Sequence, residues 1–283
     1  MQQIQFQKII LIGAGNLATN LGMALFKAGH TIIQVYSRTM ESAETLAEKL
    51  HAQPTTDIGK LASNADIYIV ALKDNVIASL LPALTKRRED RLFVHTAGSM
   101  PADIFKPYVK QYGVLYPMQT FSKTRLVSFE HIPCFIEANT PHTLQTIQQL
   151  ASSLSDKVIE LPSEKRKLLH LAAVFACNFS NLCYHLADKV LATENIPFDV
   201  MLPLIDETAQ KVHDMPPGMA QTGPAIRYDR NVIDKHIDML ANMASINPNT
   251  SSSTHQLASL ADFYQIASNL IHQLATTESS LKI

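Results

Sequence analysis

The 283-residue chain has no tryptophan, only nine glycines and three cysteines. Cys134, Cys177 and Cys183 form no Cys-x-x-Cys pair. No HExxH motif, EF-hand loop or Cys/His cluster accompanies them, so no metal site is legible. Cys177 and Cys183 are six positions apart and would face away from each other on a helix. The three are expected to be reduced core thiols of a cytoplasmic protein. A charge excess is also missing, with 24 Lys+Arg against 25 Asp+Glu. That balance excludes the basic face on which nucleic-acid binding depends. Apolar runs fall short of the roughly 18 residues that span a bilayer, so no membrane partner is expected. The opening MQQIQFQKIILIG carries no signal-peptide cleavage pattern. What is abundant is apolar residues, at 46%. A chain of this length and composition can bury the cores of two ordinary domains.

Short apolar runs alternate with helical patterns through the first 160 or so residues. Strands are expected at Lys8–Ile12, Thr31–Tyr36, Ile67–Leu72, Leu92–His95, Gly113–Tyr116, Cys134–Glu137 and Val158–Leu161. Helices are expected at Leu17–Ala28, Ser42–His51, Val76–Leu84, Asp103–Lys110 and His142–Leu154. This alternation implies parallel pairing in an α/β sandwich. After Pro162 no strand pattern remains. Ser163–Thr193 reads as one long helix capped by Ser163, followed by helices at Phe198–Met215, Arg227–Met243 and Ser252–Thr276. The expected division is a dinucleotide-binding domain over 1–162 and an all-helical domain over 163–283.

The segment Gly13-Ala14-Gly15-Asn16-Leu17-Ala18 fits G-x-G-x-x-G/A, directly after an apolar strand and at the start of a helix. The first glycine permits the tight turn, the second lets a pyrophosphate approach, and a small third residue lets helix and strand pack closely. Free N–H groups and the dipole at the helix N-terminus favour the anion. The fold expected is a doubly wound, Rossmann-type parallel sheet. At the end of the second strand, where NAD sites carry a carboxylate, the chain has Ser37, Arg38 and Thr39. Two hydroxyls and a guanidinium fork suit a 2′-phosphate, which favours NADP(H) over NAD(H).

With this cradle, the YSRT pocket and a helical second half, the chain resembles the 6-phosphogluconate dehydrogenase-like superfamily. GAGNLA with YSRT is similar to pyrroline-5-carboxylate reductase and to deazaflavin-linked NADP reductases. HTAGS (95–99), YPMQTFS (116–122), HLAAVFACNFSN (170–181) and TGPAIRYD (222–229) resemble a family of two-domain NADP oxidoreductases. That resemblance implies the fold and NADP binding. It also implies His-Pro and Ser-Gly where this chain has Tyr116-Pro117 and Ala97-Gly98.

Ligands of doubly wound sheets lie beyond the carboxyl ends of the strands. Leu72, Lys73, His95 and Thr96 therefore join Gly13, Ala14, Gly15, Asn16, Leu17, Ser37, Arg38 and Thr39 as candidate cofactor contacts. His95 reads equally well as a buried structural histidine. Leu168–Phe179 is almost wholly apolar and is expected to be buried, yet contains His170 and Asn178. On a uniform helix His170, Asn178, Asn181, His185 and Asp188 fall within an arc of about 80°. Buried polar groups cost roughly 1–3 kcal/mol each unless paired, so the stripe must face a cleft, water or a partner. His170 and Asn178 are the candidate catalytic residues. Lys167, within the charged run 164–167, is expected to point to solvent, Asp229 to favour a helix start, and Arg227 to be a candidate anion contact. Together these features describe an NADP(H)-dependent oxidoreductase that moves a hydride to or from a small carbonyl or imine compound. Rival readings are a non-catalytic NADP-binding sensor and a pyrroline-5-carboxylate reductase. A homodimer formed through 163–283 is expected.

Overall fold

Ile9 and Leu11 of β1 (Lys8–Ile12) enter one apolar core, and Ile10 and Ile12 enter another. A period of two with both faces apolar is what a central strand requires. β4 (Ile67–Val70) repeats the pattern, with Ile67 and Ile69 in the first core and Tyr68 and Val70 in the second. The first core is closed by α1 (Asn16–Lys27), α2 (Met40–Leu50) and α4 (Pro141–Ser152), through Leu21, Leu25, Leu46, Leu50, Ile147 and Leu150. The second is closed by α3 (Asp74–Thr85) through Ile77, Leu81 and Leu84, and by Phe105 and Val109. Each aliphatic side chain sealed in these layers contributes about 1.5–3 kcal/mol relative to exposure. Tyr68 tolerates the second core because its hydroxyl donates to Ala62 O at 2.6 Å while its ring stacks on Phe93 at 4.7 Å.

The computed structural model describes residues 6–246 and 251–280. Its two compact units are Met1–Ser180 and Asn181–Ile283. In the first unit β2 (Thr31–Tyr36), β3 (Gln53–Thr55), β5 (Leu92–His95), β6 (Gln111–Pro117), β7 (Cys134–Ala138) and β8 (Val158–Glu160) join β1 and β4 in one sheet. The strand order is β3-β2-β1-β4-β5-β6-β7-β8. The chain runs outward from β1 through β2 to β3, then returns to β4 on the other side of β1. That reversal makes a crevice at the carboxyl ends of β1 and β4. All pairs are parallel except β6 with β7, which is antiparallel. The uniform parallel pairing expected from the sequence fails there because no helix lies between β6 and β7, so no crossover is made.

Several boundaries differ from expectation for local reasons. β3 is a three-residue edge strand with Pro54 at its centre, a residue that hides strands from pattern reading. The expected helix over 103–110 shrinks to a single turn, Ala102–Phe105. Beyond β8 the long helix forms as α5 (Ser163–Ala173), a π-helical stretch Val174–Phe179, and α6 (Ser180–Ala192). Ser163 is its first residue rather than its cap, and its hydroxyl is used elsewhere. The apolar face of this helix is not buried: Leu168 is 69% exposed and Phe175 61%. Of the three free thiols only Cys134 is a core residue, and burial pushes its pKa up to about 12. Cys177 is half-buried and Cys183 exposed.

The second unit continues with α7 (Leu202–Asp214), the short α8 (Pro217–Ala220), α9 (Arg230–Ile246) and α10 (Ser251–Ser280). Asp229 accepts from Val232 N at 3.4 Å and so caps α9. Between α9 and α10 the Tyr264 hydroxyl bonds His236 Nδ1 at 2.7 Å. Among the described residues no helix is long and apolar enough to cross a membrane, and no His/Cys/Asp/Glu cluster could hold a metal.

Candidate active site

The turn after β1 is built for close approach. Gly13 has φ +124°, and a Cβ there would lie 2.3 Å from the carbonyl oxygen of Ala71 at the end of β4. Only glycine fits. Gly13 N donates to Tyr36 O and Ala71 N to Ile12 O, each at 2.8 Å, so the ends of β1, β2 and β4 are locked together. At Gly15 a Cβ would meet nothing within 4 Å. Gly15 caps α1 without a side-chain hydrogen bond, and no acid occupies the first turn of that helix. An uncapped helix N-terminus facing open space is the chemistry a pyrophosphate requires. Asn16 and Leu17 form that first turn, and Leu72 Cδ2 comes within 3.5 Å of the position a Gly13 Cβ would take.

Arg38 and Thr39 are exposed and Ser37 half-buried, at the end of β2. Their side chains form no hydrogen bond or ion pair with the described residues, so two hydroxyls and a guanidinium stay available for a phosphate. Glu41 lies in the first turn of α2, beyond the end of β2. Lys73 is exposed at the N-cap of α3.

The loop after β5 is pinned from several sides. His95 is fully buried; its Nδ1 accepts from Ala97 N at 3.1 Å, which leaves Nε2 to donate to Pro101 O at 3.2 Å. Both ring nitrogens are committed within the loop, so the His95 side chain holds the loop's backbone in place. Burial, reinforced by the Arg166 cation, lowers its pKa from 6.5 to about 4. Thr96 is buried, and its N–H reaches Val70 O at 3.3 Å. The Ser99 hydroxyl donates to Asp74 at the start of α3.

α5 brings the remaining groups to this loop. His170 lies directly on Gly98, where an added Cβ would be 2.7 Å from its Cγ and Nδ1. The His170 Nδ1 is hydrogen-bonded to the Tyr116 hydroxyl at 3.1 Å, and the rings meet edge to face. Burial raises the Tyr116 pKa, with Arg166 pulling the other way, so the phenol stays protonated at neutral pH. Tyr116, Gln119, Thr120, His170 and Asn178 all line one cavity of about 390 Å³. No lysine or arginine is among its lining residues. Asn178 is exposed within the π-helical stretch. That stretch advances fewer degrees per residue than an α-helix, so the polar stripe computed for a uniform helix does not continue in phase past Val174.

Sequence reasoning passed over two residues here. Tyr116 closes the expected strand and was noted only as standing where the resemblance implies a histidine. Arg166 sat in a charged run but is 0% exposed, paired with Glu137 at 2.5 Å. The one available signal was spacing, because Arg166 and His170 are four apart and share a helix face. Its neighbour Lys167 instead makes a surface pair with Glu164 at 2.9 Å.

Residues 8–98 match the family described as NADP oxidoreductase, coenzyme F420-dependent. Residues 132–271 match a family described as Domain of unknown function (DUF2520). No curated protein matches the chain. A crystal structure from Bacteroides fragilis, of a protein named as an NADP oxidoreductase, shares 51% identity over 96% of this chain and 100% of its own, with a TM-score of 0.88. The chain belongs to this NADP oxidoreductase family. Its cofactor is accordingly NADP(H). An imine reductase from Myxococcus stipitatus, in complex with NADP+, is 14% identical with a TM-score of 0.62, covering 97% of this chain and 94% of its own. A pyrroline-5-carboxylate reductase from Coxiella burnetii is 16% identical with a TM-score of 0.56, covering 92% and 99%. At such identities the likeness is one of fold.

Two expectations follow for this NADP oxidoreductase. NADPH should bind at least about tenfold more tightly than NADH, a ratio worth about 1.4 kcal/mol and within reach of one charge-assisted hydrogen bond. Arg38→Ala should remove most of that preference; fluorescence titration with both cofactors measures it, and equal affinities in the wild type would refute it. The second concerns His95. Between about pH 6.5 and about 4 the unfolded chain binds a proton at this position that the folded protein refuses. Stability should therefore be complete above that window and decline by about 3 kcal/mol as pH falls through it. His30, whose pKa burial also lowers, adds in the same direction. Melting temperatures of wild type and His95→Gln across this range should show a flatter curve for the variant.

Proposed function

We propose that the protein is an NADP(H)-dependent reductase of small, uncharged carbonyl or imine compounds, with His170 as proton donor. The observation that carries this reading is the His170–Tyr116 pair at 3.1 Å, seated on Gly98 at the carboxyl edge of the sheet. NADPH, when bound, supplies a hydride to an electrophilic carbon. The oxygen or nitrogen of that substrate then needs a proton, and an imidazole gives one near neutral pH. His170 acts as the imidazolium: its Nδ1–H donates to the Tyr116 oxygen, its other ring nitrogen delivers the proton, and the neutral imidazole remains. Tyr116 fixes the ring orientation. Asn178 and Gln119 present amides to the same cavity and suit a carbonyl, an amine or a water held beside the imidazole.

The absence of lysine and arginine from that cavity's lining favours an uncharged substrate over a carboxylate such as pyrroline-5-carboxylate. The fold shared with an NADP+-bound imine reductase supports the same chemistry. A sensor would need the cradle and Arg38 but no paired imidazole.

His170→Ala should lower turnover at least about a hundredfold, the low end for general acid catalysis, with NADPH affinity little changed. Turnover with panels of ketones, aldehydes and cyclic imines is measured beside the melting temperature. A variant that melts lower yet keeps its turnover per folded molecule would make His170 a structural residue. A wild type that binds NADPH and reduces none of the panel would favour the sensor.

We also propose a homodimer formed mainly through the helical half. Phe263, Ile266, Leu270 and Leu274 lie on one stripe of α10, and Ile266 is 66% exposed. A row of that kind calls for a partner surface. Sedimentation at micromolar concentration should give twice the chain mass, and a monomer would refute the assignment.

A further inference from the structure

Arg166 is buried completely, yet its place in the fold is poorly explained by stability. Nη1 donates to Glu137 Oε2 at 2.5 Å, and Nη2 to Met100 O at 2.5 Å and Ser163 Oγ at 3.1 Å. The third nitrogen, Nε, is buried without a partner. Desolvating a guanidinium so incompletely matched gives little net gain, and a well-packed apolar pair in its place often folds as well. What the ion pair does achieve is geometric. The Ser163 hydroxyl donates to the same Glu137 oxygen at 2.7 Å and accepts from Ala102 N at 3.1 Å. Met100 O and Ala102 N are thus both tied to the first turns of α5. Four residues along the same face of that helix stands His170, resting on Gly98, two residues before Met100. One helix face grips one loop at two points, the first through Arg166 and Ser163 and the second through the imidazole.

We propose that Arg166 is a positioning residue for His170. By tying residues 100–102 to α5, it keeps Gly98 against the imidazole and keeps the Nδ1–Tyr116 hydrogen bond closed. The inference rests on the reading of His170 as proton donor only for its consequence in turnover. The geometric claim stands apart from it.

The test replaces both members of the pair, Arg166→Met with Glu137→Leu, so that no buried charge is stranded. Three readouts are taken: melting temperature, a crystal structure of the variant without substrate, and kcat against KM for whichever carbonyl or imine the wild type reduces. We expect a folded protein in which the His170 Nδ1 to Tyr116 hydroxyl distance opens from 3.1 Å to beyond about 3.5 Å. Turnover should fall between about tenfold and about a hundredfold, as small misplacements do. KM and NADPH affinity should change little. A folded double variant with the contact still closed would overturn the proposal, whereas one with the contact open and wild-type kcat would overturn the proton-donor reading and leave the positioning role standing. Should the double variant fail to fold, Arg166→Lys keeps the charge but loses the fork. In that variant an opened contact supports the positioning role and a closed one refutes it. If the contact opens but the wild type reduces no carbonyl or imine, the positioning role survives and the catalytic reading fails.

Discussion

The backbone of Gly13 passes so near Ala71 that no side chain can stand between them, and the site depends on that approach. With a Cβ 2.3 Å from a carbonyl oxygen, the ends of β1 and β4 could not close. Because they do close, α1 starts directly above the switch point with its N-terminus open and uncapped. The same closure sets the level at which the chain leaves β5, since Thr96 N reaches back to Val70 O. The cradle and the loop that carries Gly98 are therefore consequences of one steric constraint in a parallel sheet.

A second level of order is imposed on the loop after β5. It has little regular structure of its own, and its polar backbone is satisfied by side chains from outside. His95 holds Ala97 N and Pro101 O, Ser163 holds Ala102 N, and Arg166 holds Met100 O, while the Ser99 hydroxyl donates to Asp74. A loop so fixed is a rigid floor for a ring placed on it, which a mobile loop is not. The neutral state of His95 belongs to this scheme. Its two nitrogens serve as one donor and one acceptor, a pairing that protonation would break. Arg166 contributes twice, by its hydrogen bonds and by a charge that disfavours a second cation at His95.

The parts that were legible in the sequence are those with a local cause. The glycine cradle, the Ser-Arg-Thr end of β2 and the doubly apolar strands each declare themselves within a few residues. His170 and Asn178 drew attention because polar residues in an apolar run demand an explanation, and both do line the cavity at α5. The rest was hidden because its causes lie far away in the chain. Tyr116 meets His170 across 54 positions, and Arg166 meets Glu137 across 29. Within EKRK nothing marks Arg166 as the residue that turns inward; the carboxylate opposite it on β7 decides that. β3 was masked by Pro54. The π-helical stretch was invisible because it depends on how the helix is packed rather than on any residue that favours it.

That stretch also changes how the apolar helix is to be understood. Leu168, Leu171, Phe175 and Phe179 were expected inside, since ten of the twelve residues of Leu168–Phe179 would suit a core; in the structure they are exposed. A helix that packed this face into its own unit would need a second layer there, and the first unit already covers both faces of its sheet with α1, α2, α4 and α3. Only the narrow side bearing Arg166, Leu169 and His170 is drawn toward the sheet. The division is physically coherent. One side of α5 is held by charge and hydrogen bonds that demand fixed geometry, while the opposite side exposes Leu168 and Leu171 beside the Lys167–Glu164 surface pair, and apolar surface binds without direction. Directional bonds hold the imidazole to its loop, while the opposite face stays exposed.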